Sequence, residues 1–111
     1  MHVAYSFGLI DEFYNRLNRA IEILEHHSPA IKLQAEKMAL ECFRKIPVIY
    51  SDDSLQAVSL RWRQQIAENA KILCWHHTLP EMNHNELVGW VKDHAFHEQA
   101  VVFMLRSTVG M

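Results

Sequence analysis

Ile46-Pro47-Val48-Ile49-Tyr50, followed at once by Ser51-Asp52-Asp53-Ser54, is where the period of this chain changes. Upstream, apolar side chains recur at helical spacing. Here they run without a polar alternate, the mark of a short strand covered on both faces. Such strands belong to parallel sheets with helices on either side. The Ser-Asp-Asp-Ser run then reads as a turn with a candidate helix cap, because short polar side chains satisfy free backbone N–H groups.

Working outward, residues 9–25 read as an amphipathic helix, with Leu9, Ile10, Phe13, Leu17, Ala20, Ile21 and Leu24 on one face. Ser28-Pro29 predicts a stop and a restart, serine as N-cap and proline at the first helical position. The second helix then runs to about Arg44, with Ile31, Ala35, Met38, Ala39, Cys42 and Phe43 inward. Beyond the turn, residues 55–70 predict a third helix with Leu55, Val58, Trp62 and Ile66 inward. Ile72 to Trp75 is a second candidate strand, Asn83 to Val91 contains a short helix, and Ala100 to Leu105 is a third strand. Strands alternating with helices imply parallel pairing and right-handed crossovers. The expected class is α/β, a parallel sheet of about three strands behind two leading helices.

A chain of 111 residues and 13.0 kDa is one domain at most. Its hydrophobic half is enough for a core, and a net charge of −2 gives no basic footprint for nucleic acid. No apolar run approaches the roughly 18 residues of a membrane span, and no signal-peptide pattern opens the chain. Cys42 and Cys74 lack metal-type spacing and read as buried, reduced thiols of a cytoplasmic protein. His76-His77 and His94-x-x-His97-Glu98 offer nitrogen ligands, but Val101 stands where the zinc-protease helix pattern needs a histidine. No metal or other cofactor is expected.

The densest polar stretch is Leu79-Pro80-Glu81-Met82-Asn83-His84-Asn85-Glu86-Leu87-Val88-Gly89-Trp90, preceded upstream by Glu68-Asn69-Ala70-Lys71. It is poor core material, since each buried polar group left unpaired costs about 1–3 kcal/mol. The aromatic and aliphatic residues around it argue for a loop held against something. On its own, Glu68 falls off the apolar stripe of its helix and reads as a solvent-facing glutamate. His84 on its own reads as a surface histidine.

Together these residues resemble the signature of the bifunctional phosphoglucose/phosphomannose isomerases, two-domain enzymes of the SIS type. The resemblance covers essentially the whole chain as the first part (1–111, a single partial domain) of the second SIS domain. The SIS fold it implies has a flavodoxin-like five-stranded parallel sheet, so further strands and a first domain would lie outside this chain. The implied reaction interconverts glucose 6-phosphate, and mannose 6-phosphate, with fructose 6-phosphate through a cis-enediol. On this resemblance Glu68 is the general base that moves a proton between C2 and C1, and His84, supplied by the neighbouring subunit of a homodimer, assists sugar-ring opening. Asn83, Asn85 and Glu86 would bind substrate or orient the loop. The family holds substrate phosphate in the first SIS domain; Ser51–Ser54, with two aspartates and no glycine, makes a poor anion site. Glu68 also falls late in its helix, away from the strand ends where open-sheet sites form, so the resemblance requires a site at a domain or subunit boundary. A non-catalytic SIS module that senses a sugar phosphate or dimerises is the rival reading.

Overall fold

The computed structural model describes residues 2–8, 12–92 and 94–107. Its centre is the strand that the apolar run predicts, β1 (Ile46–Ser51). Strands β2 (Trp75–Thr78) and β3 (Ala100–Leu105) pair with it on either side, both parallel, in the order β2-β1-β3. Val48 and Ile49 are 0% exposed and Tyr50 is 2% exposed. Full burial of a side chain of this kind stabilises the fold by about 1.5–3 kcal/mol. The α/β class and the parallel pairing hold.

The chain divides into two units, residues 1–39 and 40–111. The first is helical. Helix α1 (His2–Ser6) is short, and α2 runs from Phe13 to Glu41. Tyr5, Phe13 and Tyr14 form an aromatic cluster there, Tyr5 and Tyr14 meeting edge to face at 5.0 Å. The two predicted helices are therefore one: Ser28-Pro29 lies inside α2 and ends nothing. Pro29 has no N–H to donate to the carbonyl of Glu25, but helix-forming sequence on both sides carries the backbone through. The predicted face of the first helix also included Leu9 and Ile10, which lie outside the described residues.

In the second unit the residues after β1 turn sharply. Asp52 caps a 3-10 turn, Asp53–Leu55, its carboxylate accepting from the Leu55 N–H at 3.2 Å. It accepts also from Ser54 Oγ and, at 2.9 Å, from the backbone N–H of Ser107 beyond β3. These bonds lower its pKa, the Ser54 hydroxyl foremost. The run reads as a cap, as expected. Helix α3 (Gln56–Gln65) follows and covers one face of the sheet, with Trp62 against Phe103 at 5.2 Å and Ser51 donating to Ser59 at 3.2 Å. Its last turn, Ile66–Ala70, is π-wound, and Lys71 ends it in a left-handed conformation at φ 58.

The second strand is displaced from its predicted position, from 72–75 to Trp75–Thr78. Ile72-Leu73 is apolar enough for a strand, but parallel pairing with Val48–Ser51 begins only at Trp75. The stretch 79–90 is not a loop but the helices α4 (Leu79–Asn85) and α5 (Leu87–Lys92), and α6 (His94–Gln99) leads into β3. Pro80 stands in the first turn of α4, where its missing N–H costs nothing. Met82, Leu79, Trp90 and Phe96 from these helices pack against Val48, Tyr50 and Trp75 on the second face of the sheet. Val102 and Met104, which share that face by register, remain 41% and 51% exposed. Cys42 and Cys74 are unpaired thiols but half-buried rather than buried. No helix among the described residues is long and apolar enough to cross a membrane.

Replacing Pro29 with alanine restores one helical hydrogen bond, and should stabilise the chain by about 1–3 kcal/mol in denaturant melts with a gain in helical circular dichroism. A neutral or destabilising Pro29→Ala would mean that proline begins a helix there.

Candidate functional site

Tyr50, within the buried run of β1, carries a hydroxyl, and a buried hydroxyl must find a partner. It finds two. Trp90 Nε1 donates to Tyr50 Oη at 2.6 Å, and Tyr50 Oη donates to Oε2 of Glu86. The other carboxylate oxygen, Oε1, lies 2.9 Å from Nδ1 of His77, whose Cα pairs with that of Tyr50 across the sheet. Glu86 sits between α4 and α5. Its own N–H donates to the Met82 carbonyl at 2.8 Å, and its carbonyl accepts from the Trp90 N–H at 3.0 Å. One residue thus ties two helices to two strands. Burial and the neighbouring carboxylate push the Tyr50 phenol up to about 12.

Beside this network lies a cavity of about 640 Å³, lined by Trp75, His76, His77, Asn85, Glu86, Gly89, Trp90 and Phe96. Trp75 and Phe96 stack there at 5.2 Å and 14°. His77 and Glu86 are 30% and 31% exposed at their side chains. Among the described residues no three histidines, cysteines or acids come together as a metal site.

Of the five residues singled out by sequence, Glu86 and Asn85 line the cavity, and Glu68, His84 and Asn83 do not. Glu68 lies exposed in the π-wound turn, a departure from regular helix that often marks functional positions. Asn83 and His84 lie exposed on α4, and Asn85 Nδ2 donates to Glu81 Oε1 at 2.9 Å. Glu68 lies in the turn before β2 and His84 on α4 after it.

A family model, the bacterial phospho-glucose isomerase C-terminal SIS domain, matches residues 31–110, which include Glu68, the Asn83–Glu86 run and all of the sheet. The chain belongs to that family. Curated relatives include the bifunctional phosphoglucose/phosphomannose isomerases of Aquifex aeolicus, 36% identical over 76 residues, and Thermoplasma volcanium, 44% identical over 81. These alignments take in 68% and 71% of this chain and 24% of each relative. The Caldicellulosiruptor bescii protein of the same name is 30% identical over 90 residues, 74% of this chain and 26% of its own length. The chain therefore spans about a quarter of the length of the relatives it matches. No solved structure matches it.

Within this C-terminal SIS domain, sequence reading missed Tyr50, His77 and Trp90 as parts of one hydrogen-bonded cluster. Their signals were present but ambiguous. Tyr50 reads as one more strand residue, His77 as half of a histidine pair with a metal look, and Trp90 as apolar flank. Only the register of β1 against β2 brings the first two together.

A phenol whose folded pKa lies above its ordinary value of 10 stabilises the fold fully below about pH 10, and that contribution is lost as pH rises through about 12. In a 295 nm alkaline titration, Tyr50→Phe should therefore remove the step nearest pH 12. It should also cost about 1–3 kcal/mol by stranding Trp90 Nε1 and Glu86 Oε2. Loss of an earlier step instead would place the Tyr50 phenol in contact with solvent.

Proposed function

We propose that this chain is the first part of the second SIS domain of a sugar-phosphate isomerase. The whole protein interconverts glucose 6-phosphate, and mannose 6-phosphate, with fructose 6-phosphate through a cis-enediol. Glu68 is the base that carries the proton between C2 and C1, and His84 shuttles protons in ring opening, work suited to imidazole near neutrality. Asn83 and Asn85 border the histidine, and Glu86 orients the helix that carries it. The observation that carries this reading is the family match across residues 31–110, which contains both candidate residues in their motifs. The printed names of the relatives supply the reaction.

Glu68 lies in the turn before β2 and His84 on the helix after it, and both are exposed. General acid–base groups work at about 3 Å from the atoms they serve. Their exposure on separate elements suits the homodimer that the resemblance implies, in which each site takes Glu68 from one subunit and His84 from the other. The half-open face at Val102 and Met104 offers apolar surface for association. Unpaired Cys42 and Cys74 suit a reducing, cytoplasmic setting. The rival, a non-catalytic sensing or dimerising module, draws support from the exposure of both Glu68 and His84.

Glu68→Gln in the longer protein separates the two, since the amide keeps the shape and loses the basicity. Isomerisation in a coupled fructose 6-phosphate assay should fall by well over tenfold, more than about 1.4 kcal/mol of barrier, with substrate binding retained. Activity within tenfold of the unsubstituted protein would remove Glu68 as the base. Substitution of His84 should damage turnover of the cyclic substrate more than that of a pre-opened analogue.

The 111-residue chain alone should show no turnover, since remote phosphate binding is needed to hold the reacting carbons in place, and should be at least dimeric by light scattering at micromolar concentration. Robust turnover by the isolated chain would show that the site is not shared with other parts of the protein. A stable monomer would count against the two-subunit arrangement.

A further inference from the structure

The cavity beside Glu86 is separate from Glu68 and His84, and its chemistry is distinct. Its walls are aromatic, Trp75 and Phe96 stacked with Trp90 beside them. Its polar edge is Glu86, His77 and Asn85. In a neutral His77 the contact from Nδ1 to the Glu86 carboxylate places the ring proton on Nδ1 and leaves Nε2 an acceptor. Nε2 has no hydrogen-bond partner among the described residues. We propose that this cavity binds an uncharged, polyhydroxylated ring, with Nε2 of His77 accepting a ligand hydroxyl and the aromatic walls covering the ring's C–H face.

Three features select that ligand. At about 640 Å³ the cavity is in the range of small-molecule sites, which pair apolar walls with a few placed polar groups. No lysine or arginine lines it, and the Glu86 carboxylate is already there, so a phosphate group meets like charge. A wholly apolar ligand would cover Nε2 of His77 and leave it unpaired, whereas a hydroxyl satisfies it. Sugars combine the two surfaces, since their axial C–H groups pack on aromatic faces while their hydroxyls point outward. The choice of a hexose among hydroxylated rings rests on the sugar-phosphate reading above. Free hexose and the ring of a hexose phosphate share this chemistry.

Trp75 and Trp90 make the site visible by fluorescence. The full chain is titrated with D-glucose, D-fructose, glucose 6-phosphate and inorganic phosphate, with light scattering followed in parallel. The expected result is a saturable change with the hexoses, dissociation constants of free and phosphorylated glucose within about threefold, and no response to phosphate. His77→Phe keeps an aromatic wall and removes Nε2, and should weaken binding at least tenfold. Should that variant not fold, the Nε2 nitrogen resonance of His77 in the unsubstituted chain should shift on adding glucose. No saturable response to either hexose, competition by inorganic phosphate, an unmoved Nε2 resonance, or burial of Trp75 and Trp90 by self-association would each overturn the site. Glu68→Gln tests the isomerase reading independently. Loss of turnover there with no hexose response here sinks this site alone, and hexose binding with turnover intact in Glu68→Gln sinks the assignment of the base alone.

Discussion

The structure of residues 40–111 depends on one strand being out of water on every side. β1 is paired on both edges and covered on both faces, so Val48 and Ile49 have no exposed surface at all. A strand in that position must satisfy its backbone through two neighbours, and parallel neighbours require crossovers. Helix α3 and the trio α4–α6 are those crossovers, one on each face. The same burial reaches the hydroxyl of Tyr50, which cannot be left unpaired. Its partners, Trp90 and Glu86, thereby place α4 and α5.

The two faces of the sheet are finished to different degrees. On the α3 side, Trp62 meets Phe103 on β3 and Ser59 meets Ser51 on β1, so cover extends across the strands. On the other side the three short helices reach β1 and β2 but leave Val102 and Met104 of β3 open. The cavity lies on that less finished side, against β2, where aromatic side chains meet without closing over His77 and Glu86. The proposed association and the proposed ligand site both lie on surface that this face leaves uncovered.

The polar residues around β2 fall into two groups with different environments. Glu68 and His84 are exposed, one in the turn before β2 and the other on α4 after it. Glu86 and His77 are half-buried, bonded to one another and tied to Tyr50. A carboxylate anchored at both oxygens is a poor mobile base and a good strut. Within the Asn83–Glu86 run, neighbouring residues thus differ: Glu86, just past α4, is bonded to the sheet, while Asn83 and His84 lie exposed on α4.

The sequence by itself determined the class of the fold, the central strand and the third strand. The apolar run 46–50 and the run 100–105 have no polar alternate and admit no other economical burial. It also carried the family resemblance, through the motifs Glu68-Asn69-Ala70-Lys71 and Asn83-His84-Asn85-Glu86. Local signals failed where they were balanced. Ser28-Pro29 has the chemistry of a helix start, yet the flanking periodicity carries α2 through it. Ile72-Leu73 is as apolar as a strand, yet pairing begins at Trp75. Only the tertiary structure decided that Tyr50, His77, Glu86 and Trp90 form one cluster beside a cavity. The contacts that make it join residues as far as 40 positions apart, and strand register and helix docking, not sequence spacing, set which side chains come within hydrogen-bonding reach.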